Sequence, residues 1–332
     1  MTTDTAGDSC HSCRICSNTT GNRSYVAREM LFGTRERFEY FQCAACGTVQ
    51  IARIPDDLGR FYPKNYFSFK KLDWFARNPL RRFVDPLRVR SAFGIPNFVG
   101  RVTNRLSKPL DYIDWVKRAG LTQHARVLDV GCGAGKSLIC MAMGGFTRCE
   151  GLDPFIESTL AYDIGVTVIK MDLGAFAKER GGSFDFVMSH HSFEHVVDPL
   201  ETLKDLAALL SPGGRIMLDM PVVAEAWDIY RENWCNLDPP RHLHILTVQA
   251  VRLLANQVGL DLLDWFSHGR WYQFTNSELY KRDIPANANA KAPDHFSAAE
   301  IVAFKQKAEA LNREGRGDIA TFYLTQKLPV VA

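Results

Sequence analysis

Two pairs of cysteines stand near the start of the chain, Cys13-Arg-Ile-Cys16 and, after a gap of 26 residues, Cys43-Ala-Ala-Cys46. Four thiolates at this spacing can surround one zinc ion, and metal binding supplies folding energy that so short a segment lacks. Cys10-His-Ser-Cys13 is also a CxxC, so the register is ambiguous; we prefer Cys13 and Cys16 as ligands and treat Cys10 or His11 as a spare. Neither pair opens a helix after a strand, which disfavours a redox pair. Close CxxC pairs suit a reducing compartment, and the first residues lack the basic start and apolar stretch of a secretory signal, so the expected location is cytoplasmic.

A second chemical signal is the stretch VLDVGCGAGKS, Val127 to Ser137. Its tail, Gly135-Lys136-Ser137, imitates a phosphate-binding P-loop. That loop needs a glycine five positions before Gly135, and the residue there is Val130. Starting from Gly131 leaves a spacer of three residues, too short for the backbone nest around a phosphate. Lys136 then reads as an ordinary exposed helix residue. The alternative fits better. Asp129 ends a strand, and Gly131, Gly133 and Gly135 form a tight turn that lets backbone approach a ligand. Eighteen residues after Gly135 comes Asp153, at the end of the next predicted strand, where an acid can accept both ribose hydroxyls. Asp172, just past the third strand, is placed to accept an adenine amino group.

The elements that must position these residues alternate. A helix over LDYIDWVKRAG is followed by the strand ARVLDV, the glycine loop and the helix KSLICMAMGG. TRCEGLD is a strand, FIESTLAYDIG a helix, VTVIK a strand, LGAFAKER a helix and FDFVMS a strand. PLETLKDLAALLSPGG is a helix stopped by Pro-Gly-Gly, and RIMLDMP a fifth strand. Later come the helix TVQAVRLLANQVG, the strand LDLLDWFS, a loop over residues 284–296, a helix from Ser297 to Gly315 and the strand IATFYLTQ. Alternating strands and helices imply an α/β fold with a parallel sheet. We divide the chain into a zinc-binding module over 10–50, a basic aromatic linker over 51–109 and a main domain over 110–327; residues 1–9 read as disordered.

Charge adds a partner class. Between Arg60 and Lys108, twelve lysines and arginines face only Asp73 and Asp85, a net charge of +10 on a chain whose total is +3. A basic belt on an otherwise acidic protein favours an anionic partner, either phosphate on a small-molecule acceptor or the surface of an anionic membrane. The alternative is a solvated face whose arginine stems pack on neighbours. No apolar run reaches the roughly 20 residues needed to span a bilayer.

The motifs VLDVGCGAG, GLDP, KMDL, FDFVMSHHSFEHV and LSPGGRIMLDMP together resemble the class I S-adenosylmethionine-dependent methyltransferases over about residues 110–325. The resemblance implies a Rossmann-like sheet of seven strands with the last antiparallel, IATFYLTQ being the candidate. It implies cofactor contacts from Asp129, Gly131, Cys132, Gly133 and Gly135 at the methionine part. Asp153 with Pro154 would hold the ribose, and Asp172 with Leu173 the adenine. With the small zinc-ribbon-like module, the chain resembles bacterial methyltransferases of sugar and glycan pathways, some of which are sugar C-methyltransferases with a further C-terminal domain. NLDPPRHLHILT resembles a segment of surface-polysaccharide methyltransferases.

Transfer from a sulfonium needs in-line alignment and exclusion of water, and a hydroxyl acceptor is helped by a base. HHSFEHVVDP directly follows the fourth strand, on the rim where ligands of open α/β sheets bind. His190 lines the cofactor pocket or serves beside His191; His195 is the first base candidate, and Glu194 an acceptor contact. Arg241, His242 and His244 form a second cluster, in which both histidines point one way if extended and Arg241 can bind phosphate. Trp227, Tyr230, Trp234, Trp271 and Tyr272 are candidates for an aromatic acceptor platform. The expected reaction is methyl transfer to a sugar-type hydroxyl, on a nucleotide sugar or lipid-linked glycan. C-methylation of a nucleotide-linked sugar, a nucleic-acid methyltransferase and a non-catalytic scaffold are the alternatives; the lack of an NPPY-type motif after the fourth strand disfavours nucleic acid.

Overall fold

The computed structural model describes residues 8–9, 11–62, 78–106, 112–286 and 291–327. Cys10, most of residues 1–9, and the parts of the basic belt at 63–77 and 107–111 lie outside the described residues. Among the described residues thirteen strands run in chain order: β1 Asp8–Ser9, β2 Asn22–Arg28, β3 Arg37–Gln42, β4 Val49–Ile51, β5 Val127–Val130, β6 Cys149–Leu152, β7 Leu160–Tyr162, β8 Val166–Ile169, β9 Phe184–His190, β10 Leu210–Pro221, β11 His244–Ile245, β12 Leu260–Ser267 and β13 Ile319–Gln326.

The chain divides into two compact units, and not along the sequential boundaries expected above. One gathers Met1–Pro63, Phe193–Glu201 and Asp219–Phe322; the other holds Lys64–Ser192, Thr202–Leu218 and Tyr323–Ala332. In the first, β1-β2-β3-β4-β11 form one five-stranded sheet, with His244 opposite Gln50 and Ile245 opposite Val49. The cysteine-rich segment is therefore not a free-standing module. Its buried Ala27, Tyr40, Val49 and Ile51 share one core with Trp227, Trp234, Leu243, Ile245 and Phe274. A 41-residue segment has too little apolar surface for a core of its own, and the distant segments supply it.

The larger sheet has eight strands in the order β12-β13-β10-β9-β5-β6-β8-β7. β5 pairs in parallel with β6 and β9, and β6 with β8. Two expectations change here. FIESTLAYDIG is not a helix: Leu160–Tyr162 pairs antiparallel with Val166–Ile169 and adds the eighth strand. Gly165, at φ 83°, makes the turn, and cross-strand pairing overrides local helix preference. Pro-Gly-Gly does not stop a helix either: the helix ends at Ala208, and Pro212, Gly213 and Gly214 lie inside β10. The helix Ala298–Arg313 begins as expected, with Ser297 and Glu300 closing a capping box, worth about 1 kcal/mol.

Candidate functional site

In the Lys64–Ser192 unit the glycine loop joins β5 to the helix Lys136–Met143, of which Lys136 is the exposed first residue. Gly131, at φ 73°, donates its N–H to Leu152 O at 2.7 Å; a Cβ there would lie 2.0 Å from Ser192 Oγ. Gly135, at φ 76°, caps the helix, and a Cβ there would meet Val168 Cγ2 at 2.7 Å. Tyr162 on β7 donates its hydroxyl to Ala134 O at 2.6 Å, a brace the sequence reading missed because it expected a helix there. Cys132 Sγ packs over Gly151, which has no side chain to obstruct it.

The two strand-end acids are almost wholly buried, Asp129 at 3% and Asp153 at 4% exposure. Asp153 accepts Gly133 N–H through Oδ2 and Phe155 N–H through Oδ1, both at 2.8 Å, so it braces the glycine loop. Ile156 N–H acts on the carboxylate as well, which leaves lone-pair capacity for a ligand hydroxyl on the carboxylate as a whole. Burial holds its carboxyl above the usual range despite those N–H bonds. Asp129 is held well above that range by burial and then by the charge of Asp153, and its Oδ1 has no hydrogen-bond partner. Among the described residues no cationic side chain pairs with either acid. Two under-compensated buried carboxylates suit a ligand carrying positive charge and hydroxyls, and repel a triphosphate. S-adenosylmethionine has a sulfonium, an ammonium and a ribose diol, so the residues present fit it.

Asp172 is exposed and caps the helix Leu173–Arg180, its Oδ1 accepting Gly174 N–H at 2.9 Å and Ala175 N–H at 3.3 Å. Leu173 is half-buried and Pro154 exposed. His190 ends β9 with its ring 5.3 Å from Trp115 and 4.7 Å from that of His191, whose φ is 50°.

In the other unit Glu194, His195 and His242 bring one ligand atom each to within 4.8 Å of one another. His195 Nδ1 lies 2.9 Å from Arg241 O and 3.0 Å from Tyr62 Oη. A carbonyl only accepts, so Nδ1 carries the proton and Nε2 is the basic nitrogen. His242 Nδ1 likewise donates to Asn236 O at 2.7 Å. Burial, then the charge of His195, pushes His242 down to about 4, so it is neutral at pH 7. This trio can move a proton or ligate a divalent cation. His244 stands apart as a wholly buried β11 residue against Phe193, pushed down to about 3 by burial, and reads as structural.

Arg241 requires a correction. Its side chain is fully buried, donating to Glu29 Oε1 at 2.9 Å and to Asp238 at 2.6 and 2.8 Å, with Phe32 against the guanidinium. A phosphate would have to displace a carboxylate, so Arg241 is a core ion and not a phosphate ligand. The aromatic platform is also reduced. Trp227, Tyr230 and Trp234 are core residues at 5% exposure or less, whereas Tyr272 is exposed.

Cys13, Cys16, Cys43 and Cys46 converge with all sulfurs within 4.8 Å of one another. Cys13 Sγ lies 3.6 Å from Cys46 Sγ and Cys16 Sγ 3.5 Å from Cys43 Sγ. A disulfide measures about 2.05 Å, whereas zinc at about 2.3 Å from four tetrahedral sulfurs separates them by roughly 3.8 Å. Gln50 Nε2 donates to Cys13 Sγ at 3.1 Å, an outer contact typical of a thiolate.

Comparison with known proteins agrees with this geometry. Residues 105–264 match the family model described as "Methyltransferase domain". The Ubiquinone biosynthesis O-methyltransferase of Xanthomonas campestris pv. campestris (strain B100) is 37% identical over 116 residues, covering 32% of this chain and 47% of that protein. Its namesake from Vibrio parahaemolyticus is 39% identical over 98 residues, covering 27% and 41%. The chain thus spans about half the length of the curated relatives it matches. Among solved structures, a SAM-dependent methyltransferase from Archaeoglobus fulgidus aligns with a TM-score of 0.40 at 18% identity, covering 66% of this chain and 100% of that one. One from Mesorhizobium loti aligns with a TM-score of 0.41 at 19% identity, covering 64% and 96%. Over residues 105–264, just under half of its length, the chain is thus similar to a methyltransferase domain.

Proposed function

We propose that the chain transfers the methyl group of S-adenosylmethionine to a hydroxyl oxygen of a small polar acceptor. The observation that carries this reading is the buried pair Asp129 and Asp153 beside a glycine loop, with no cationic partner among the described residues. The cofactor, when bound, supplies a methyl group made electrophilic by a sulfonium. Gly131 and Gly135 admit its backbone-close parts, Asp153 accepts ribose hydroxyls, and Asp129 offers negative charge to the cationic end.

Our favoured acceptor is a sugar-type hydroxyl on a phosphate-bearing precursor, which the basic belt supports and Arg241 no longer does. A second reading, a phenolic hydroxyl, is favoured by the relatives named for ubiquinone biosynthesis. We further propose that Cys13, Cys16, Cys43 and Cys46 hold a structural zinc ion; removing it with a chelator lowers the melting temperature and releases one zinc per chain. The test is incubation of the full chain with methyl-labelled S-adenosylmethionine and a panel headed by UDP-glucose and 3,4-dihydroxybenzoate. A singly methylated product, with the label on oxygen, is expected. Binding of cofactor with label delivered only to carbon or nitrogen contradicts O-methylation.

A further inference from the structure

Exposed apolar side chains are ordinarily scattered over a protein surface, and in this chain they gather. Of the fourteen large hydrophobic residues exposed among the described ones, Leu80, Phe83, Ile95, Phe98, Val102 and Leu106 fall within 27 residues of sequence. That stretch forms two helices, α1 Pro79–Ala92 and α2 Phe98–Leu106, both in the unit that holds the glycine loop. α1 is anchored to the helix Lys136–Met143: Val89 is buried with Ile139, Cys140 and Met143, and Arg90 Nε donates to Met143 O at 3.3 Å. α2 in turn leans on α1 with its small and polar side. A Cβ at Gly100 would lie 2.2 Å from Leu87 O, and Asn104 Nδ2 donates to Arg88 O at 2.9 Å. This packing turns Phe98, Val102 and Leu106, at i, i+4 and i+8, to solvent. Phe98 is 81% and Leu106 83% exposed, and on the first turns of α1 Leu80 is 68% and Phe83 66% exposed. A helix at the surface of a globular domain normally does the reverse and buries its apolar stripe.

Charge accompanies the stripe. Residues 79–106 carry six arginines against one acid, Asp85. Arg101 and Arg105 are exposed and stand directly beside Val102 and Leu106 in α2. With Lys117 they line a cavity of about 350 Å³, whose other charged lining residue is Asp114. Among the described residues no carboxylate forms an ion pair with Arg101, Arg105 or Lys117.

We propose that α2, carried on α1, docks the chain on a membrane surface bearing anionic phospholipid. Phe98 and Leu106 enter the acyl boundary, and Arg101 and Arg105 meet the headgroup phosphates. A bilayer interface supplies both halves of the complement at once, hydrocarbon for the stripe and negative charge for the arginines. A nucleic acid would offer Val102 and Leu106 nothing, since aliphatic side chains do not stack on bases. A second copy of the chain would set one arginine surplus against another. The inference is independent of the methyl-transfer reading.

The test is co-sedimentation of the full chain with vesicles of phosphatidylcholine alone and of a two-to-one mixture of phosphatidylcholine and phosphatidylglycerol. Binding to the mixture is expected to be at least about 100-fold tighter than to phosphatidylcholine, and to weaken as salt is added. Replacing both arginines, Arg101→Gln with Arg105→Gln, is expected to weaken it about 30-fold, or about 2 kcal/mol. Replacing both apolar residues, Phe98→Ser with Leu106→Ser, is expected to weaken it at least about 10-fold. All four positions are exposed, so the melting temperature is expected to stay unchanged, and Phe98→Leu, which keeps the apolar surface, is expected to bind as the unaltered chain does. Equal sedimentation with both vesicle types, or sedimentation indifferent to either double substitution, overturns the inference. So does a chain that ignores both vesicles and instead self-associates, or binds a short RNA, through the same residues.

Discussion

Two regions of the molecule bury a pair of carboxylates, and they treat them in opposite ways. At Arg241, Glu29 and Asp238 close around a guanidinium. Against the upward push of burial, hydrogen bonds from Phe32 N–H and Arg241 hold Glu29 below the usual range, and the charge and bonds of Arg241 do the same for Asp238. At the glycine loop, burial holds Asp129 and Asp153 above that range, with no cation among the described residues to oppose it. In the first region the charge is compensated by the chain itself. The second is under-compensated, and a cationic ligand would complete it. On the proposed function, the binding site is the place where the chain leaves buried charge without compensation.

The largest effect should come from breaking the finished side. Arg241→Ala leaves two buried carboxylates unpaired and should cost about 3–5 kcal/mol in urea unfolding. On the open side the first constraint is space. Gly131→Ala places a methyl group against Ser192 at a positive φ and should cost about 1–3 kcal/mol and block cofactor binding, read by melting and calorimetry. Charge-neutral substitutions should then show opposite signs. Asp129→Asn should raise the ligand-free melting temperature at pH 7 by about 2–4 °C, the equivalent of about 1 kcal/mol, whereas Glu29→Gln should lower it. The pH dependence follows from the shifts. Glu29 and Asp238, with lowered folded values, contribute stability above their unfolded values of about 4 that is lost as pH falls. Asp129, with a raised folded value, is neutral and harmless below about pH 4 and penalises folding as pH rises, so the gain from Asp129→Asn should grow as pH rises above about 4. The smallest effect belongs to an exposed carboxylate. Asp172→Ala should cost about 1 kcal/mol as a lost helix cap, and an added loss of adenosylhomocysteine affinity would show the same residue reading adenine.

What was legible in the sequence was local. The glycine loop, the acids ending β5 and β6, the two CxxC knuckles and the Ser297 cap each declare themselves within a few residues. What was not legible depends on distant partners. Arg241 looked like a phosphate ligand because Glu29, its neutraliser, stands 212 residues away. His244 looked catalytic because nothing nearby in sequence shows that β4 would bury it. Trp227 and Trp234 looked like a platform because the core they complete is formed with β2 to β4.

The central claim, that the open carboxylate pair awaits a cationic adenosyl ligand, is tested most directly by calorimetry of the full chain with S-adenosylmethionine and with ATP, each against the unaltered protein and Asp129→Asn. The account predicts one-to-one binding of S-adenosylmethionine, weakened about 10- to 100-fold, or about 1.4–2.7 kcal/mol, by Asp129→Asn, and no binding of ATP. ATP binding to the unaltered chain, or S-adenosylmethionine affinity indifferent to Asp129→Asn, would contradict it.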